Sequence, residues 1–241
     1  MSFSPETLVG ELAATQPGSI RVFQRYGIDF CCGGKRPLQE VCAERVLPYD
    51  TLAAELAAAA APSAPVRLRW DARPLSELTA HIVESFHDPL SVELPRLLAM
   101  AQRVDERHGS SSQPHAAAIA ATLEVFANGL AAHMRQEEAE VFPLIDRIER
   151  DGAGSNEAGR FLAAQDALES EHAEAGQTLA TIRALTNDYV PPAGACPTTL
   201  GLYHGLRELE ALMTLHVHLE NNILFPRAQA LALAARQGGQ S

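Results

Sequence analysis

Two segments of this 241-residue chain carry the same polar insertion in an otherwise apolar helical stripe, and this repeat limits the fold more than any other feature. At alternating three- and four-residue spacing, one stripe runs Ile119, Leu123, Phe126, Leu130, His133, Glu137, Val141, Leu144. A second runs Leu202, Leu206, Leu209, Met213, His216, Glu220, Ile223. Each is apolar except for one His and a Glu four residues later, so both polar side chains fall one turn apart on the same inward face. The repeat extends further, since His133-x3-Glu137-x4-Phe142-Pro143 matches His216-x3-Glu220-x4-Phe225-Pro226. Two further stripes each hold a single His: Leu168, His172, Ala175, Leu179, Ile182, and Val83, His87, Leu90, Leu94, Leu97.

These stripes predict four long helices, over roughly 74–107, 115–149, 157–187 and 198–236, separated by loops rich in Gly, Ser, Asn and Pro. Four such helices on short loops make an up-down-up-down bundle. Apolar residues are 46% of the chain but aromatics only 5%, so Ala and Leu carry the core, and no strand pattern competes. The fold class expected is all-α, a C-terminal four-helix bundle preceded by a small helical N-terminal domain. Residues 1–60 form the small domain: Ser4-Pro5-Glu6 opens a helix to about Thr15, Ser19 to Tyr26 gives a second that Gly27 stops, and Pro37 and Pro48 open two more. Ala57–Ala61 followed by Pro62 and Pro65 places a linker at 61–72, leaving 73–241 for the bundle. Some 60 residues are marginal alone, so the small domain is expected to pack on something larger.

Burying a lone carboxylate costs several kcal/mol or forces it to protonate. Four imidazoles and two carboxylates meeting at mid-bundle remove that cost by binding cations. A single core His is more often a hydrogen-bonded structural residue, and a single His-x3-Glu a solvated pair; six such positions on four helices reverse that preference. Mixed imidazole and carboxylate donors without thiolate suit iron or manganese. Six ligands exceed what one open metal uses, so two metals are expected, bridged by Glu137 and Glu220, with His87, His133, His172 and His216 terminal. Glu138, Glu140 and His218 fall on other faces and are expected in solvent; His115 and His204 have no partner at helical spacing, and His81 lies outside the ligand shell. His108 shares the stripe of His87 but follows it by 21 residues, on the order of 30 Å along a helix, and is expected to cap the helix end instead.

Composition excludes several classes. A net charge of -11 argues against a nucleic-acid partner, no run of 18 apolar residues suggests a membrane span, and the opening residues lack an export pattern. Cys31, Cys32, Cys42 and Cys196 are too few for a disulfide scaffold, so a cytoplasmic protein with reduced thiols is expected. Within the small domain, Cys31-Cys32 is followed by Gly33-Gly34, then Lys35, Arg36 and a helix opened by Pro37. The glycines clear space around the thiols, and the cations with the helix start are expected to lower a thiol pKa. Cys31 and Cys32 are therefore the candidate reactive residues, receiving or passing iron, nitric oxide or electrons.

The two H-x3-E-x4-F-P segments resemble those of hemerythrin-like domains. Asp29-Phe30-Cys31-Cys32-Gly33-Gly34 ahead of such a domain resembles the di-iron repair-of-iron-centres family, the iron–sulfur cluster repair proteins. The resemblance implies two non-haem irons per chain on His87, His133, Glu137, His172, His216 and Glu220. It implies partners among iron–sulfur proteins damaged by nitrosative or oxidative stress, with nitric oxide or O2 as small ligand, and leaves a homodimer open. Oxygen-carrying hemerythrins have a second His four residues after the one in the third helix; here Gly176 holds that place, which favours iron release or nitric oxide chemistry over reversible O2 carriage. Whether iron donation or nitric oxide reduction is the act stays open at this stage. The alternatives are a hemerythrin-like O2 or nitric oxide carrier or sensor, and a ferritin-like oxidase, which two stripe carboxylates fit poorly.

Overall fold

Proline decides where the long helices change pitch. In the computed structural model, which describes residues 3–59, 69–108, 115–152 and 155–238, three of the four bundle helices contain one π turn. The first runs α5 (Leu75–Ile82), a π turn (Val83–His87), then α6 (Asp88–His108). The second runs α7 (Ala116–Gln136), a π turn (Glu137–Val141), then α8 (Phe142–Asp151). The fourth runs α10 (Pro197–Leu219), a π turn (Glu220–Leu224), then α11 (Phe225–Gly238). The third, α9 (Ser155–Leu185), has no proline and no π turn. Each π turn ends two residues before a proline: Pro89, Pro143 or Pro226. A helical proline lacks an N–H and its ring meets the carbonyl four residues back; the wider π turn moves that carbonyl aside and the helix continues. The first helix thus passes Pro89 with a π turn.

Helix α6 packs on α7 and α10, α7 on α9, and α9 on α11, so sequential helices are neighbours and the first meets the fourth. Short connections then make them alternate in direction, the up-down-up-down bundle expected. Among the described residues no strand forms; the only β feature is an isolated antiparallel bridge of Leu8 with Pro37. Two apolar clusters fill the bundle. One gathers Leu90, Leu97, Leu123, Phe126, Ile182 and Leu206, the other Leu75, Leu78, Ile145, Phe161, Leu168 and Phe225. Fully burying one such side chain stabilises by about 1.5–3 kcal/mol, so these clusters hold the polar layer between them in place. The run Ala116–Asp151 contains an 18-residue stretch long and apolar enough to cross a membrane by length and composition, with a mean hydropathy of 1.2. Its apolar stripe, though, faces the bundle core with His133 and Glu137 in it.

The N-terminal helices are α1 (Val9–Thr15), α2 (Ser19–Arg25), α3 (Leu38–Glu44) and α4 (Tyr49–Ala59), around Phe23, Phe30, Leu38, Leu52 and Leu56. Gly27, at φ 60°, ends α2 as expected, with the Ile28 amide donating to the Phe23 carbonyl. Ser4-Pro5-Glu6 does not open a helix. It forms a turn, and residues 7–10 pair with 34–38, with the first two amides of α1 bonding as Val9 N–H to Arg36 O and Gly10 N–H to Gly34 O. This pairing satisfies the backbone groups that a helix from Ser4 would have used. The predicted linker at 61–72 falls mostly outside the described residues.

The small unit docks on the fourth helix at two glycines. A Cβ on Gly10 would stand 2.1 Å from Asn222 Oδ1, and one on Gly34 2.4 Å from the same atom. Gly10→Val should therefore cost about 1–3 kcal/mol of docking, as overpacking does. The expected result is roughly tenfold or faster labelling of Cys31 and Cys32 by a thiol reagent, with bundle helicity by circular dichroism unchanged; unchanged labelling would show that this contact does not hold the units together.

Candidate metal centre

The six residues singled out by the stripes come together at mid-bundle. His87, His133, Glu137, His172, His216 and Glu220 are all buried, both carboxylates completely. They form two overlapping groups, His87, Glu137, His216, Glu220 and His133, Glu137, His172, Glu220, in which the donor atoms lie within 4.8 Å of one another. Each carboxylate offers one oxygen to each histidine pair. Glu137 turns Oε1 to His133 Nε2 (3.3 Å) and Oε2 to His87 Nε2 (3.5 Å). Glu220 turns Oε1 to His216 Nε2 (3.0 Å) and Oε2 to His172 Nε2 (3.2 Å).

Within the pairs, the nitrogens face each other: His87 Nε2 lies 3.1 Å from His216 Nε2, and His133 Nε2 lies 2.9 Å from His172 Nε2. Both Glu137 oxygens and Glu220 Oε2 are buried without a hydrogen bond. A buried carboxylate left so would cost more than a typical unmet polar group, about 1–3 kcal/mol, whereas two cations between facing donors would satisfy every atom. The residues present therefore fit a pair of cations with mixed nitrogen and oxygen donors.

The motif's phenylalanines hold the rings. Phe142 stacks on His87 with centroids 5.7 Å apart, Phe225 on His172 at 6.1 Å, and Phe86 on His216 at 5.5 Å. Behind them, His87 Nδ1 meets Glu138 at 2.8 Å, His133 Nδ1 meets Glu171 at 2.6 Å, and His172 Nδ1 meets Asn221 Oδ1 at 2.8 Å. Such partners fix a ring's tautomer and orientation. Sequence reasoning missed all three and placed Glu138 on a solvated face; it is half in solvent, yet its carboxylate reaches across to the first helix. The available signal was adjacency, because each partner neighbours an inner-face residue: Glu137, His172 or Glu220.

Other expectations divide. Glu140 is exposed, as predicted, and His81 stacks on Trp70 outside the cluster. His108 is the last residue of α6 and belongs to neither donor group. His218 is a correction. It is buried, edge-on to Phe30 at 5.4 Å, and accepts from the Asn222 amide at 3.1 Å, because the small unit covers that face of the fourth helix. Burial lowers its pKa to about 4.

Cys31 and Cys32 lie against the bundle beside this cluster. Cys32 Sγ is 3.5 Å from the His172 carbonyl and 3.7 Å from where a Cβ on Gly176 would stand, so the thiol occupies the space left by that glycine. The loop is tied down by the fourth helix's π turn. Asn222 donates to the Phe30 carbonyl (2.9 Å), and Asn221 donates to the Cys31 carbonyl (3.3 Å) while its oxygen takes His172. The expected cationic help for the thiols is absent, since Lys35 pairs with Glu169 (2.6 Å) and Arg36 with Glu40 and Glu44. Hydrogen bonding to Cys32, burial and the nearby Asp29 carboxylate raise Cys31, while the hydrogen bond from Cys31 lowers Cys32. Of the two thiols, Cys32 is therefore the readier to lose its proton.

Without metal, the carboxylates favour the protonated forms of His133 and His172. Burial alone would lower His133, but the nearby Glu137, with Glu220 and Glu171, outweighs it and raises His133 to about 9. Because that value exceeds the unfolded 6.5, the stability it contributes is complete below pH 6.5 and is lost as pH rises through 9. The metal-free protein should lose roughly 3 kcal/mol of unfolding free energy between pH 6.5 and 9 at this residue. Metal uptake should strengthen over the same window, as the proton leaves the ligand nitrogen. Chemical denaturation of metal-free protein at several pH values checks this, and a flat profile would contradict it.

A four-helix bundle that gathers four histidines and two carboxylates at its centre is a hemerythrin-type cation-binding fold, and the hemerythrin HHE cation binding domain matches residues 78–228. Residues 5–60 match ScdA_N, described as a domain of unknown function. Across nearly the whole chain the relatives are iron-sulfur cluster repair proteins YtfE. That of Musicola paradisiaca is 39% identical over 224 residues, 92% of this chain and 96% of its own length. Those of Cronobacter sakazakii and Escherichia coli are 39% and 38% identical over 230 and 223 residues, covering 95% and 92% of this chain and 99% and 96% of theirs. The chain belongs to the YtfE family.

Proposed function

We propose that this protein repairs iron–sulfur clusters damaged by nitrosative or oxidative stress, from a bundle that holds two irons. The observation that carries this reading is the pointing of each buried carboxylate, with one oxygen toward each histidine pair. In it, His87, His216, Glu137 and Glu220 would hold one iron, and His133, His172, Glu137 and Glu220 would hold the other. When bound, the irons supply redox-active ions with positions open to a small ligand such as nitric oxide or O2. The chain's own residues hold that pair still. Glu138, Glu171 and Asn221 keep the imidazole Nδ1 atoms oriented, Phe142 and Phe225 fix the ring planes, and the two apolar clusters exclude water on either side.

Placement of Cys32 against the helix that bears His172 supports iron donation as the act. Its thiol lies beside one histidine pair, and Cys31 and Cys32 are each partly exposed. A cytoplasmic setting suits the thiols, all four of which are free. Damaged iron–sulfur proteins are the partners. Transfer of iron from the purified, iron-loaded protein to an apo iron–sulfur protein, followed by the absorption of the rebuilt cluster, tests this reading. Iron kept in the bundle with no cluster rebuilt would overturn donation.

A further inference from the structure

Among the described residues, one other set of side chains able to bind a metal comes together, outside the bundle cluster. Asp29, Cys31 and Cys32 offer a carboxylate oxygen and two sulfurs that lie within 4.8 Å of one another. We propose that these three residues form a separate site for a thiophilic divalent cation such as Fe(II). Its role as a stopping place for outgoing iron rests on the bundle reading; its capacity to bind does not.

The distances suit one tetrahedral ion. The sulfurs are 3.8 Å apart, and two sulfurs bound at about 2.3 Å to a tetrahedral centre stand about 3.8 Å apart. Cys31 Sγ to Asp29 Oδ1 is 3.2 Å, close to the edge of about 3.5 Å expected for one sulfur and one oxygen ligand. The same sulfur separation is far beyond a disulfide bond of about 2.05 Å, and both thiols are free.

The loop that carries the donors is already held in shape. Asp29 Oδ1 accepts the amides of Cys31 and Cys32, both at 3.0 Å, and Asn221 and Asn222 hold the Phe30 and Cys31 carbonyls. Binding therefore needs little ordering of backbone. Cys32 faces α9, whereas Asp29 is exposed, so the site has one side on the bundle and one side open to a partner. Two sulfurs and one carboxylate are softer than the imidazole and carboxylate set of the bundle, which makes the two sites chemically distinct. Binding replaces the protons of the two thiols with the metal and releases them to water; no electron moves.

Co(II) titrated without oxygen into the full-length, thiol-reduced protein tests the site. The bundle cluster has no sulfur, so a thiolate-to-cobalt charge-transfer band reports this site alone, while elemental analysis counts all bound metal. The band should saturate at one cobalt per chain and vanish in a Cys31→Ser, Cys32→Ser variant, which keeps Cys42 and Cys196. Asp29→Asn retains an oxygen for the two amides and removes the charge, and it should weaken the band's affinity at least tenfold. Glu220→Leu, which empties the bundle, should leave the band intact. Absence of a band in excess cobalt, or equal affinity in Asp29→Asn, would overturn the three-residue site. A band in the unsubstituted protein, with its bundle taking up no metal, would sink the di-iron reading and leave this one standing.

Discussion

Glu137→Leu and Glu220→Leu will each lose most of both irons, not one. Each carboxylate sends one oxygen to each histidine pair, so either substitution removes a donor from both groups at once. Losing a residue that only orients a ligand costs about 10–100-fold in metal affinity, and losing a shared bridge should cost more. The variants should stay helical, because Leu fills a similar volume between apolar clusters and no longer buries a charge. Iron content by elemental analysis, beside the circular dichroism spectrum, checks this. Two irons retained in either variant would end the bridging assignment.

The second large effect is functional and leaves the metal alone. Replacing Cys31 and Cys32 with Ala together should abolish or strongly reduce cluster repair while two irons stay in a folded bundle. The reason is geometric. The thiols meet the bundle at the His172 carbonyl and at Gly176, and touch none of the six inner donors. The lost groups are the two thiols, not a structural prop; the loop keeps its ties through Asp29, Asn221 and Asn222. Repair activity and iron content measured on one preparation separate the outcomes. Full repair would make the cysteines bystanders, and lost iron would make them structural.

Much of this was legible because helical periodicity is a local property. A buried stripe admits polar residues only where something meets them, so His133 with Glu137 and His216 with Glu220 stood out as a repeated exception in apolar surroundings. The same pattern located His87 and His172. Prolines near the site were visible too, but not their effect. A kink and a π turn answer the same missing N–H, and which one forms depends on how the neighbouring helices pack.

What sequence alone determined is the all-α class, the four bundle helices and the six inward donors, since each follows from spacing along a single helix. What only the tertiary structure decided lies between elements. His218 was expected in solvent and is buried by a unit placed nearly 200 residues earlier in the chain. Glu138 was expected on a solvated face, and it and Glu171 turn out to hold histidines of adjacent helices. Lys35 and Arg36 stood next to the thiols in the chain, yet in the fold they find carboxylates instead. Periodicity reports which face of a helix is buried, but the partner across an interface is chosen by docking, and a charged side chain goes to the nearest carboxylate in space rather than in sequence.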